Sequence, residues 1–144
     1  MTLAALHERC RNTMTEHLGI ELTELGPDFL RGTMLVSHRT CQPMRLLHGG
    51  ASVALAETLG SLAANAVNRS PDHRLVGQEI NANHLRPVAE GASVTGVARA
   101  IHIGGSSQVW GIEITNQDDK LVCVARLTMA VVKYAAPKPD SFPT

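Results

Sequence analysis

The chain has 144 residues, with 13 Lys plus Arg balanced by 13 Asp plus Glu. The formal net charge is therefore zero, no basic field exists to draw in a polyanion, and nucleic acid is not an expected partner. This length suits one domain that buries roughly 68–70% of the surface its unfolded form exposes. Cys10, Cys41 and Cys123 are odd in number, far apart and free of any CxxC pair, so they suggest neither a disulfide framework nor a zinc site and read as buried or idle thiols. Glu8 and Arg9 interrupt any secretory apolar core, and no uncharged apolar run of about 18 residues or more occurs. The expectation is a soluble cytoplasmic protein that neither enters nor binds a membrane.

In chain order, Leu3, Leu6, Cys10, Met14 and Leu18 recur at steps of three or four and predict a helix over 3–18, stopped by Gly19. Residues 19–25 and 29–37 alternate apolar and polar around Gly26-Pro27-Asp28, which predicts a β-hairpin. A loop follows over 38–46. Residues 48–68 form the one long helical candidate, with Ala51, Leu55, Leu59, Leu62 and Ala66 along one stripe. Between His48 and Arg69 its only charged residue is Glu57. A helix so nearly apolar all round should be buried on most sides, as by a sheet wrapped around it.

Four strands are predicted beyond, over 75–86, 92–103, 107–116 and 121–132. Short connections containing Pro87, Gly91, Gly104 and Gly105 separate them and imply an antiparallel meander. Too few βαβ units occur for a doubly wound sheet, so the fold class is α+β. Residues 1–132 are expected to form a single domain, and the Pro-rich segment 133–144 a flexible tail.

An unpaired carboxylate amid Ala, Leu and Gly is costly to bury. Glu57 shares its helical face with Gly50, Val53, Ala54, Gly60, Ser61 and Ala64. Mostly small, these residues leave room for another backbone or a ligand. On local pattern alone, Glu57 reads equally as a solvent-facing or arginine-paired group. His48-Gly49-Gly50 opens the helix, where first-turn N–H groups lack intrahelical acceptors and can hold an oxyanion. Gln42 and His48 could border that spot, although alone they read as a loop amide and a helix-start histidine. Arg86 alone reads as a surface charge at a strand end.

The segment from Gln42 through His48-Gly49-Gly50 and Glu57 to Ser61, together with Asn81-Ala82-Asn83-His84-Leu85-Arg86-Pro87 and Gly105-Ser106-Ser107-Gln108-Val109-Trp110, resembles the hot-dog-fold acyl-CoA thioesterases of aryl thioesters. That group includes the enterobactin-synthesis proofreading thioesterase and the dihydroxynaphthoyl-CoA and hydroxybenzoyl-CoA thioesterases. The resemblance covers roughly residues 12–132. It implies an antiparallel sheet around one central helix, with Glu57 attacking the thioester or activating water. It further implies that the Gly49 N–H polarises the carbonyl, that Gln42 and His48 border the thioester, and that Ser61 holds the water or the glutamate. By the same resemblance His84, Arg86 and the loop Gly104, Gly105, Ser106 and Ser107 lie towards the CoA nucleotide.

Relatives often carry a basic residue where this chain has Ser106-Ser107, which weakens the phosphate clamp expected there. Met44 stands where an aromatic is common, so acyl preference is expected to differ.

A thiol leaves with a pKa of roughly 8.5, so one carboxylate and an oxyanion site suffice, with coenzyme A as part of the substrate and no metal or organic cofactor. An acyl or aryl carrier protein is a second source of the same thioester. Two alternatives remain: a hot-dog acyl-thioester dehydratase or hydratase, which shares the fold and the buried glutamate but whose usual His-Phe-Pro or Asp-x-Asn-x-x-His signatures are absent, and, in a different class, a non-catalytic acyl-CoA-binding sensor that regulates a partner. Along one helix, Gly49 and Glu57 stand ~12 Å apart, too far to act on one carbon. A homodimer with antiparallel central helices and shared active sites is therefore expected, and the resemblance extends this to a dimer-of-dimers tetramer.

Overall fold

A computed structural model describes residues 1–134 of the chain. The elements run α1 (Leu3–Cys10), α2 (Met14–His17), β1 (Ile20–Leu25), β2 (Phe29–Leu35), α3 (Gly49–Val67), β3 (His73–His84), β4 (Ser93–Ile103), β5 (Ser107–Thr115) and β6 (Leu121–Lys133). All six strands join one antiparallel sheet in the order β1-β2-β4-β5-β6-β3. The α+β expectation and the hot-dog architecture hold: one long helix lies across the concave face of one sheet.

The inward positions are set by the two-residue period of each strand. Ile20 and Leu22, Leu30 and Met34, Val94 and Ala98, Trp110, Ile112 and Ile114, and Ala125, Leu127 and Met129 are all buried. Against them α3 lays Leu55, Ala56, Leu59, Ala63 and Ala64. Each fully buried leucine here contributes about 1.5–3 kcal/mol. The helix docks closely because Gly32 and Gly96 pair across β2 and β4 beneath Leu59. A Cβ on Gly96 would lie 2.7 Å from Leu59 Cδ1, and one on Gly32 2.9 Å from Leu59 Cδ2. The small residues thus form a notch for one leucine.

Four expectations change. The helix expected over 3–18 is two short ones, because Asn12 adopts φ 57° and breaks the run. Its N–H donates to Glu16 Oε2 at 2.8 Å, and Thr13 Oγ1 donates to Cys10 O at 2.6 Å. Local side-chain bonds of this kind compete with helical propagation.

The meander expected of the last four strands holds only for β4-β5-β6. The preceding strand pairs with β6 at the far edge, His84 opposite Cys123. A short link need not join neighbours when its strand arrives from a helix that has already crossed the sheet. Lys133, assigned to the tail, ends β6 opposite His73, and the Tyr134 N–H donates to Asp72 O at 2.7 Å. The rest of that expected tail, residues 135–144, lies outside the described residues.

The helix is also less enclosed than its composition suggested. Val53, Ala54, Glu57 and Ser61 are only partly covered and Gly50 is exposed. On the edge strand β3, Val76, Gly77, Gln78 and Glu79 are exposed. Among the described residues β3 pairs only with β6.

Candidate functional site

The approach to α3 is a folded loop. The Gln42 N–H donates to Leu46 O at 2.8 Å, the Arg45 N–H donates to Gln42 O at 2.8 Å, and Arg45 closes the turn at φ 60°. Arg45 Nε donates to Glu90 Oε2 at 2.8 Å, and short bridges Cys41–Leu47 and Leu46–Ala89 hold the loop to its neighbours. Within this turn the Gln42 side-chain oxygen accepts from the Met44 N–H, leaving Nε2 as the donor end of the amide. Met44 itself projects outward, 75% exposed.

His48 caps α3. Its Nδ1 accepts from the Gly50 N–H at 2.8 Å. An accepting Nδ1 carries no proton, so the ring is held as the tautomer protonated on Nε2. The His48 carbonyl receives the Ala51 N–H at 2.9 Å and the Ser52 N–H at 3.2 Å. Among the described residues the Gly49 N–H has no acceptor. The orphan donors expected of the first turn thus reduce to one at its very start, on the glycine singled out by the sequence.

That glycine lines a cavity of about 390 Å³ together with Gln42, Ser52, His84, Arg86 and apolar walls that include Leu47 and Val122. Four of the expected site residues, Gln42, Gly49, His84 and Arg86, therefore meet within one chain. Arg86 is anchored there, its guanidinium donating to Leu121 O at 2.7 Å.

Glu57 is not on that wall. Two helical turns further on, its carboxylate lies over Gly77 of β3: a Cβ on Gly77 would overlap Glu57 Oε1 and come within 3.3 Å of its Cδ. Burial pushes the Glu57 carboxyl up from its ordinary range, while a hydrogen bond from the Ser61 hydroxyl pulls it partly back. Ser61 Oγ also lies 3.7 Å from Met129 Sδ.

The loop glycines Gly104 and Gly105 stand elsewhere. They line a separate cavity of about 340 Å³ with Arg69, Ser70 and His73, beyond the C-terminal end of α3. Gly104 N–H donates to Ser107 O at 3.0 Å, and Ser106 O accepts from Val131 N–H at 2.9 Å, which fixes the hairpin. One chain thus holds three separate groups: the α3 start with His84 and Arg86, the Glu57–Ser61 pair, and the 104–107 hairpin. Among the described residues no three His, Cys, Asp or Glu side chains converge as a metal site requires. Also, no helix among them is long and apolar enough to cross a membrane.

Sequence reading missed Gly77, Ser52 and Val122. Only Gly77 carried a signal, since a glycine inside a strand often marks close approach of another group.

Residues 44–123 match the family model described as the thioesterase superfamily. The chain is 49% identical over 132 residues to the proofreading thioesterase EntH of Cronobacter turicensis, covering 92% of this chain and 95% of that one. A crystal structure of a thioesterase from Haemophilus influenzae superposes with TM-score 0.87 at 49% identity, over 92% of each chain. A variant of a thioesterase from Pseudomonas aeruginosa superposes with TM-score 0.89 at 44% identity, over 93% of this chain and 96% of that one.

Proposed function

This chain belongs to the thioesterase superfamily as a hot-dog thioester hydrolase, and on that premise we propose that it cleaves an aryl or other small acyl-CoA at a site shared between two chains. The observation that carries the reading is the Gly49 N–H, without an acceptor among the described residues, at the wall of a cavity that also holds Gln42, His84 and Arg86. A carbonyl oxygen placed there meets a fixed donor, and loss of one such donor raises a barrier by about 3–4 kcal/mol.

Glu57 supplies the carboxylate that takes a proton from water or attacks the thioester carbon itself. Both routes need it ionised and both break the C–S bond: water deprotonated by the carboxylate adds to the carbon directly, or the carboxylate forms a mixed anhydride that water then hydrolyses, and the sulfur leaves as thiolate and takes up a proton to end as free thiol. Ser61 steadies the carboxylate, while His48 presents Nε2–H beside the thioester. The reaction needs no metal or organic cofactor, because a thiolate is already a competent leaving group. His84, Arg86 and the 104–107 hairpin face the CoA nucleotide, and a carrier-protein thioester presents the same reacting bond.

Because ~12 Å of helix separates Gly49 from Glu57, the second chain completes the site. Two features support a two-fold dimer: the partly covered stripe Val53, Ala54, Glu57 and Ser61, and the exposed edge of β3 alongside it. Antiparallel α3 helices bring Glu57 of one copy towards Gly49 of the other, and two dimers build a tetramer. The expected setting is the cytoplasm, where CoA thioesters are available.

The test is thiol release from aryl, short-chain and long-chain acyl-CoAs. Fast release from an aryl or short acyl-CoA is expected. A protein that hydrolyses only long-chain substrates, or carrier-protein thioesters alone, overturns the substrate class.

A further inference from the structure

Gly77 sits within β3, where glycine is poorly suited: it has no side chain to pack and it weakens the strand. Its backbone does not demand glycine, since the positive-φ glycines are Gly19 and Gly91. Alanine would fit the strand at position 77 but for one obstacle, the Glu57 carboxylate occupying the place where a Cβ would stand.

The surroundings fix this meeting from both sides. Asn65 ties α3 to β3 just before Gly77: its Nδ2 donates to Leu75 O at 2.9 Å and its Oδ1 accepts from the Leu75 N–H at 3.2 Å. Immediately after Gly77, Gln78 is the extra residue of a β-bulge, for Gly77 pairs with Met129 and Glu79 with Thr128. Bulges re-aim strands locally. Helix, strand and bulge thus leave one vacancy, and it is filled by the carboxylate.

We propose that Gly77 is a positioning residue for the reaction: the space left by its missing side chain sets the rotamer of Glu57 and so where the carboxylate stands relative to the thioester. Any side chain at 77 forces the carboxylate away while leaving the substrate pocket of the helix start intact. This rests on the reading of Glu57 as the reacting carboxylate, and the experiment separates the two.

Gly77→Ala, Glu57→Gln, and Glu57→Asp and Glu57→Ala each alone and combined with Gly77→Ala are compared on the acyl-CoA that the wild type turns over fastest, with thermal midpoints measured in parallel. Gly77→Ala is expected to lower kcat tenfold or more with KM changed less than twofold. Glu57→Asp, one methylene shorter, is expected to lose less activity in the Gly77→Ala background than in the wild type, because it withdraws from the added methyl. Any fall in midpoint caused by Gly77→Ala should vanish when Glu57→Ala is present, since among the described residues the three atoms nearest to a Cβ at 77 all belong to that side chain. If Gly77→Ala keeps kcat within twofold while Glu57→Gln abolishes turnover, the positioning role is wrong and the role of Glu57 stands. A midpoint loss that persists beside Glu57→Ala, or equal Glu57→Asp losses in both backgrounds, also overturns it. Turnover by Glu57→Gln near the wild-type rate removes the underlying reading instead.

Discussion

The His84 imidazole rests against the bare α-carbon of Gly49: a Cβ at 49 would stand 2.9 Å from His84 Nε2 and 3.2 Å from Cε1. Among the described residues the only first-turn N–H of α3 without an acceptor is therefore held beside an aromatic donor or acceptor from a strand end. Gly49→Ala should push the ring or the helix start by several tenths of an ångström. We expect kcat/KM to fall about 10- to 100-fold, the scale of a misplaced oxyanion donor. The loss should be smaller when measured against a His84→Ala parent, because the crowding partner is gone; steady-state kinetics on the four combinations decide it.

Glu57→Gln is nearly isosteric and should lower kcat by two or more orders of magnitude while substrate still binds. Its stability should move the other way. A carboxyl whose folded pKa is raised binds its proton more tightly when folded, so the ionised wild type loses stability as pH climbs through the interval between the unfolded and folded values. The glutamine variant is thus expected to melt higher than wild type at pH 7, with the advantage disappearing below about pH 4, under the ordinary glutamate pKa of ~4.3. The acid limb of wild-type kcat/KM should lie above that same ordinary value. Thermal melts and rate profiles across pH check both statements.

Arg86 is fastened by its bond to Leu121 O at the edge of the Gly49 cavity, which leaves the rest of the guanidinium available to a phosphate. Arg86→Ala should raise KM for CoA substrates more than it lowers kcat, with the effect shrinking as salt is added. An unchanged KM at low salt, or an equal loss on a thioester lacking the nucleotide, would place the phosphate contact elsewhere.

Two inactive variants should rescue each other. When Glu57→Ala and Gln42→Ala chains exchange at random, half of the dimers are mixed and each carries one intact site, so about a quarter of sites should regain activity. Exchange is verified by mass spectrometry of tagged chains. Activity that remains at the level of the parents after verified exchange contradicts a site built from two chains.

The elements legible in the sequence were those whose pattern is local. Alternation gave the hairpin and the β4-β5-β6 meander, and the apolar stripe of α3 with His48 at its cap gave the helix within a residue at each end. Glu57 and Gly49 stood out because an isolated carboxylate and a glycine-opened helix are conspicuous in one dimension, whereas Gln42 and Ser61 gained their expected roles only through the family resemblance. The break at Asn12 was hidden, since 3–10 and 14–17 keep the same apolar phase although a left-handed residue divides them.

Tertiary structure alone decided where β3 lies, which N–H of the helix start stays unaccepted, and what Glu57 touches. The placement of β3 beside β6 depends on the path of a helix across a sheet, which no short-range periodicity encodes. His48 Nδ1 claims the Gly50 N–H through a side-chain rotamer, so that the Gly49 N–H is the first-turn donor left without an acceptor among the described residues became visible only once that ring was placed. Gly77 is twenty residues from Glu57 in the chain, and its significance is an absence of atoms. Composition can record that a glycine is present, but only packing in three dimensions shows which side chain needs the space.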